Sequence, residues 1–109
     1  MVEGFWIVQF EGVHGGGGGV VFLRNGTVLG GDSGYIYEGK YETNNPNLRA
    51  TVSVKNFLPG VPNVLGVNAD FDLVLEAKIE GDTLKGRASL ASAQGMGLAV
   101  KLTRRAPLP

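Results

Sequence analysis

The chain has 109 residues, 43% of them apolar, with ten basic and ten acidic residues and no cysteine. This length accommodates one domain with its own hydrophobic core. The lack of cysteine excludes a disulfide scaffold and a thiolate metal site, and the zero net charge argues against a nucleic-acid partner, because binding to phosphates needs a basic surface.

Alternation of apolar and polar residues predicts a series of strands, beginning with one that places Trp6, Val8 and Phe10 on a single face. Five glycines follow at positions 15–19. We predict a flexible hairpin loop there, because the glycines lead into Val20 and a strand instead of the Lys-Ser/Thr and helix of a phosphate-binding loop. Two short strands then flank Asn25-Gly26, a typical two-residue hairpin turn.

A structural corner is predicted next, at Gly30, Gly31 and Asp32, where an Asp side chain can bond to nearby backbone. The fourth strand carries Tyr35, Tyr37 and Tyr41 on one face. A turn at residues 43–47 and alternating segments at 48–55, 71–80, 84–90 and 98–102 complete the pattern. Successive one-sided strands without helical crossovers indicate antiparallel pairing.

These strands predict an all-β fold, a single closed antiparallel up-and-down barrel of about eight strands, because closure removes exposed sheet edges. The barrel domain spans residues 1–105 and a C-terminal tail spans 106–109. The segment 57–70 breaks the alternation and contains Pro59 and Pro62, which disfavour a strand. We expect a long apolar loop, or a short helix at 62–67, that plugs one end. The predicted lid residues are Phe57, Leu58, Val61, Val64 and Leu65.

The inward faces define a candidate ligand cavity. Small residues alternate there with aromatic ones, which leaves two interpretations: a filled core, the more ordinary one, or a space for one small hydrophobic molecule or lipid. The candidate lining residues are Trp6, Val8, Phe10, Tyr35, Tyr37, Tyr41, Val52, Phe71, Leu73 and Leu98.

Enzymatic chemistry is not expected from this sequence. His14, the single histidine, precedes the glycine run, where we expect it to be exposed and without a catalytic partner. We predict no catalytic residues, no metal site and no cofactor. The N-terminus has neither the basic start nor the apolar run of a secretory signal, so a cytoplasmic location without a membrane partner is expected.

The chain resembles the GrlR-like negative regulators of type III secretion. The similarity rests on an opening Gly-aromatic strand, a glycine-rich hairpin and the segment GVVFLRNGTVLGGDSGYIYEGKYE. Its motifs are Asn25-Gly26, Gly30-Gly31-Asp32 and Tyr37-Glu38-Gly39, and it extends more loosely to about residue 103. The resemblance implies a lipocalin-like, often dimeric bacterial barrel with a hydrophobic cavity and a loop at one end.

The function implied by the resemblance is negative regulation by binding a protein partner, a transcriptional activator, without contact to DNA. The alternative is a lipocalin-like carrier of a small molecule or lipid. Members of the family carry an acidic Glu-Asp-Glu-Asp partner-binding motif after the Tyr-x-Gly strand. Here that position holds Thr43-Asn44-Asn45-Pro46-Asn47, so the family's partner-binding residues are not transferred to this chain.

Overall fold

The computed structural model describes residues 2–12, 15–60 and 70–109, and their regular structure consists of eight strands. In chain order these are β1 (Gly4–Gly12), β2 (Gly15–Arg24), β3 (Thr27–Gly31), β4 (Tyr35–Asn44), β5 (Asn47–Asn56), β6 (Phe71–Glu80), β7 (Thr83–Leu90) and β8 (Ala93–Ala106). Each strand pairs antiparallel with the next, and β8 pairs with β1. The predicted closed barrel is therefore confirmed.

No helix in the described ranges has the length and apolar character needed to cross a membrane.

The up-and-down order gives the barrel two different ends. The end that we call the turn end carries three two-residue connections, at Asn25-Gly26, Asn45-Pro46 and Gly81-Asp82. Asn25 and Gly26 have φ values of 49° and 78°, which explains why an Asn-Gly pair occupies this hairpin. The opposite end, the loop end, carries the connections at residues 13–14, 32–34, 57–70 and 91–92.

The predicted glycine loop is wrong, because residues 15–19 form the first half of β2. They pair with β1 in register, with Gly17 opposite Phe10 and Gly19 opposite Val8. A glycine run has no side chains to alternate, so it gives no strand signal in the sequence, yet its backbone can complete the hydrogen-bond ladder of a neighbouring strand. The β1–β2 connection therefore consists of residues 13–14 alone. These two residues lie outside the described residues, so the prediction for His14 is not tested.

Two of the most deeply buried side chains lie near the turn end. Trp6 is 1% exposed and Leu84 is fully buried. The indole Nε1 of Trp6 donates a hydrogen bond to the carbonyl oxygen of Val2 at 2.8 Å, so the one polar atom of this buried ring is satisfied. The segment before β1 is thereby fixed against the barrel.

Three inward glycines mark places where neighbouring strands approach too closely for a side chain. A Cβ atom built on Gly30, Gly39 or Gly86 would overlap the backbone carbonyl oxygen of Val20, Thr51 or Glu76, respectively. Glycines of this kind mark bends in small barrels. Gly39 and Gly86 are therefore required by the shape of the wall and do not serve to leave room in the interior.

The last strand is longer than the alternation indicates. It begins at Ala93 and ends at Ala106, whereas the sequence predicts residues 98–102. Its pairing with β7 shifts register between Ser89 and Leu90, which interrupts the two-residue period at this end. The possible short helix at 62–67 lies outside the described residues.

Candidate ligand-binding cavity

The barrel encloses a cavity of about 290 Å³. All eight strands contribute to its lining, and the deepest contacts are aliphatic, from Leu23, Leu48, Leu84 and Leu102. The cavity meets the surface at the loop end, at a set of residues that we call the mouth: Gly16, Gly17, Gly18, Asp32 and Ser33. The lining is thus mainly apolar, with polar groups at the mouth and on Tyr35, Tyr37 and Tyr41.

The structure places the predicted cavity residues around this space, with one exception. The lining includes Val8, Phe10, Tyr35, Tyr37, Tyr41, Val52, Phe71, Leu73 and Leu98. Trp6 instead packs in the core at the turn end, where its indole is held by Val2. That the lining residues bind a ligand stays a prediction, but of the two interpretations left open by the sequence, the structure shows the one with internal space.

The glycine half of β2 is one origin of this space. In the β1–β2 register, Gly17 and Gly19 continue the inward positions of Val21 and Leu23. Of these two glycines only Gly17 lines the cavity, and a Cβ on Gly19 would lie 2.6 Å from the Gly31 carbonyl oxygen. Where the turn end has two aliphatic side chains on β2, the loop end has none. Gly17 lies opposite Phe10, and both line the cavity. Sequence reasoning did not identify these glycines as part of the wall, because a glycine run has no alternation of its own.

Asp32 organises the polar side of the mouth. Its Oδ1 accepts hydrogen bonds from the backbone N–H groups of Gly34 and Tyr35, both at 2.9 Å, and its Oδ2 accepts one from the Tyr37 hydroxyl. The Asp32 N–H donates to the Tyr35 carbonyl oxygen at 2.9 Å. This is a side-chain-stabilised turn of the kind that Asp forms readily. The pairing of Asp32 with Tyr37 was not foreseen.

Tyr37 is held in its neutral form. Burial raises the pKa of the Tyr37 hydroxyl well above the usual value of 10, and the hydrogen bond to Asp32 and the negative charge of that carboxylate raise it further. The hydroxyl therefore acts as a proton donor to Asp32, and the carboxylate remains the charged partner. The pair presents a fixed negative charge at the edge of an apolar space.

The described part of the predicted lid does not cover the cavity. Phe57 and Leu58 are 52% and 48% exposed, and neither is among the cavity-lining residues. The Phe57 N–H donates to the Gly34 carbonyl oxygen at 3.0 Å, which extends the β4–β5 pairing by one residue. Phe57 thus continues the alternation of β5 at a position that faces outward. Val61, Val64 and Leu65 lie outside the described residues.

The outer wall of β1–β4 carries an exposed apolar face that the sequence analysis also missed. Its members are 40% to 51% exposed and are Ile7, Val20, Phe22, Leu29 and Ile36. The register joins them: Ile7 lies opposite Val20, and Phe22 lies opposite Leu29. Because both faces of β1 and β2 are apolar, alternation gave no indication that the outward residues form a patch. We call this set the outer apolar face.

No protein-family model matches the chain, and no curated protein matches it significantly. The candidate site is therefore defined by its own geometry. In the part of the chain that the structure describes, no group of three or more His, Cys, Asp or Glu side chains is placed to hold a metal ion.

Proposed function

We propose that this chain is a non-enzymatic binding protein that holds one small apolar molecule inside its barrel. The observation that supports the proposal is the cavity, whose depth is lined by Leu, Val, Ala and Phe side chains from strands on every side. Ligand pockets are typically concave, mainly apolar and supplied with a few polar groups that orient the ligand. The Asp32–Tyr37 pair at the mouth has the placement of such groups.

The size of the cavity limits the ligand. At about 30 Å³ for the volume of one water molecule in the liquid, the space of about 290 Å³ corresponds to roughly ten non-hydrogen atoms. This lies at the lower edge of the usual range for small-molecule pockets, about 300–1,000 Å³. An eight-carbon chain with a small head group is of this size.

A series of linear alcohols tests this proposal. Calorimetric titration with hexanol, heptanol and octanol should show affinity rising roughly fourfold for each added methylene, because each buried CH₂ contributes about 0.8 kcal/mol. Val52→Phe adds an aromatic ring on the cavity side of β5 and should abolish binding. Thr51→Phe adds the same ring on the exposed side of β5 and should leave binding unchanged.

Two results would count against a binding cavity. One is the absence of heat or displacement with every alcohol, and the other is equal binding by the Val52→Phe and Thr51→Phe variants. In the second case the alcohols would be associating with the outer surface. A folded state of each variant is established first by circular dichroism and by its urea midpoint.

A second candidate function is regulation by protein–protein interaction, and the outer apolar face favours it. Taking roughly 170 Å² for a fully exposed large apolar side chain, the five residues present on the order of 400 Å². Patches of about 300–600 Å² on monomers are often functional. A standard interface buries about 800 Å² on each partner, and its centre is the most apolar part. The face therefore suits the centre of a contact with a second copy of the chain, in keeping with the dimer that the resemblance implies.

The oligomeric state decides whether this face is used. Light scattering on a sizing column should show a dimer whose population grows with protein concentration. Leu29→Lys places a charge within the face and should yield a monomer, while Thr51→Lys, on the exposed side of β5, should remain dimeric. A wild-type chain that stays monomeric at every concentration would remove the support for this candidate.

A further inference from the structure

The chemical nature of the ligand's head group follows from the charge at the mouth. Asp32 lines the cavity, is only partly exposed, and uses its carboxylate oxygens in three hydrogen bonds. An ionised carboxylate offers about four lone-pair positions, all of which accept and none of which donates. Three of these positions are thus used by described partners, and one accepting position is left on a carboxylate that lines the cavity.

No basic side chain in residues 2–12, 15–60 and 70–109 neutralises this charge. The two ion pairs found there join Lys55 to Glu38 at 3.6 Å and Arg104 to Asp82 at 3.8 Å, and neither includes Asp32. The partners of Asp32 are two backbone N–H groups and a neutral hydroxyl. Asp70, also at the loop end, adds a second acidic side chain, whose Oδ1 accepts from the Asn56 N–H at 2.9 Å.

From this arrangement we infer that the cavity selects an apolar amine, with its hydrocarbon part in the barrel and its ammonium group at Asp32. An ammonium donates a charge-assisted hydrogen bond to the free acceptor position, which is stronger than a bond between neutral groups. It also places a positive charge beside a partly desolvated negative one, where water screens the attraction less than at the surface. The inference rests on the proposed function, since it requires that the cavity bind a small apolar molecule.

The same geometry disfavours an acid of equal length. A fatty-acid carboxylate at the mouth would face the Asp32 carboxylate, and the Tyr37 hydroxyl already donates its proton to Asp32. Like charges in such a site repel, and one of them must be neutralised before both can be accommodated. A neutral alcohol can donate one hydrogen bond but gains no charge attraction, so it should bind with intermediate affinity.

Octylamine, octanol and octanoate form a matched probe set for this inference, titrated by calorimetry at pH 7. We expect octylamine to bind at least about tenfold more tightly than octanoate, with octanol between them. Asp32→Asn keeps an oxygen for the two backbone N–H groups and removes the charge. It should bring the three affinities to within about a factor of two.

Tyr37→Phe distinguishes the effect of the Asp32 charge from the effect of the Tyr37–Asp32 hydrogen bond. This variant removes the hydroxyl that Oδ2 accepts from and leaves the carboxylate in place, so the preference for octylamine should persist or increase. If the preference disappears in Tyr37→Phe as it does in Asp32→Asn, it depends on the structure of the corner and the inference is wrong. Val52→Phe is the control for location, and octylamine binding that survives it would place the amine on the acidic surface, which also overturns the inference.

The two levels of the proposal fail in different ways. If octanol binds and octylamine binds no better than octanoate, the cavity is a binding site without the selectivity inferred here. If none of the three probes binds, the proposed function itself is refuted and the inference with it.

Discussion

Gly86→Ala tests whether β6 and β7 approach each other as closely at this position as the structure indicates. Glycine to alanine in a strand ordinarily stabilises a protein by about 0.4–1 kcal/mol, since alanine has less freedom to lose on folding. At Gly86 the new Cβ would lie 2.6 Å from the Cα of Ala77 on β6 and would overlap the Glu76 carbonyl oxygen. Carbon atoms pack at about 3.5–4.0 Å, so β6 and β7 must separate locally by roughly 1 Å.

The cost of this separation can be estimated from its parts. Forcing extra volume into a packed site costs about 1–3 kcal/mol, and stretching a ladder hydrogen bond beyond its useful length loses about 1 kcal/mol more. We therefore expect Gly86→Ala to lower the free energy of unfolding by about 2–4 kcal/mol. With a urea dependence of about 1–2 kcal/mol per molar for a chain of this size, the midpoint should fall by roughly 2 M.

A glycine with more room supplies the control for this measurement. A Cβ on Gly16 would lie 3.2 Å from the Phe10 carbonyl oxygen, a distance that small adjustments can absorb, so Gly16→Ala should stay within about 1 kcal/mol of the wild type. Urea unfolding is followed by circular dichroism for both variants. A Gly86→Ala protein as stable as the Gly16→Ala protein would refute the close strand approach and, with it, our account of the inward glycines.

Two further predictions concern the corner at the mouth. Asp32→Ala removes the acceptor of two backbone N–H groups and of the Tyr37 hydroxyl. It should lower the free energy of unfolding by about 2–4 kcal/mol in the same urea assay. Asp32→Asn keeps an acceptor oxygen and should lower it by less than half of that amount. The pKa of Tyr37 is raised in the folded state, so the unfolded chain releases this proton first, and stability should fall as the pH rises above about 10. Comparison of urea midpoints between pH 8 and pH 11 should show a steeper fall for the wild type than for Tyr37→Phe, and equal slopes would contradict the assignment.

The sequence was sufficient to predict the barrel because each strand with a polar outer face shows its own alternation of apolar and polar residues. Along β5, inward Leu48, Ala50 and Val54 alternate with exposed residues, and a shift of one position would turn all of them outward. This constraint fixes which residues of β5 face inward, and the two-residue turn at Asn45-Pro46 then selects the register against β4. The same reasoning identified many of the side chains that surround the cavity, since these belong to the inward rows of the strands.

Features that depend on side-chain volume, on the absence of side chains or on the pairing of distant strands could not be predicted from the sequence. Residues 15–19 give no alternation, so their place in β2 appears only when β1 is laid beside them. Whether the interior is filled depends on the sum of many side-chain volumes and on the curvature of the wall, and neither can be read from one strand. The outer apolar face was not predicted because β1 and β2 carry apolar residues on both sides, and alternation then gives no contrast between the inner and the outer face.

The mouth connects the stability of the barrel with the selectivity proposed for it. The carboxylate of Asp32 stabilises the β3–β4 corner through Gly34 and Tyr35, and it keeps Tyr37 neutral and directed toward the mouth. These hydrogen bonds satisfy a polar side chain that lies at the edge of an apolar cavity. The β2 glycines beside it leave the space that a ligand's head group would need. A corner that served only to close the barrel would tolerate Asn at position 32 with a small loss of stability. The effects of Asp32→Asn on stability and on amine binding, measured side by side, therefore separate the structural role of this residue from its proposed role in recognition.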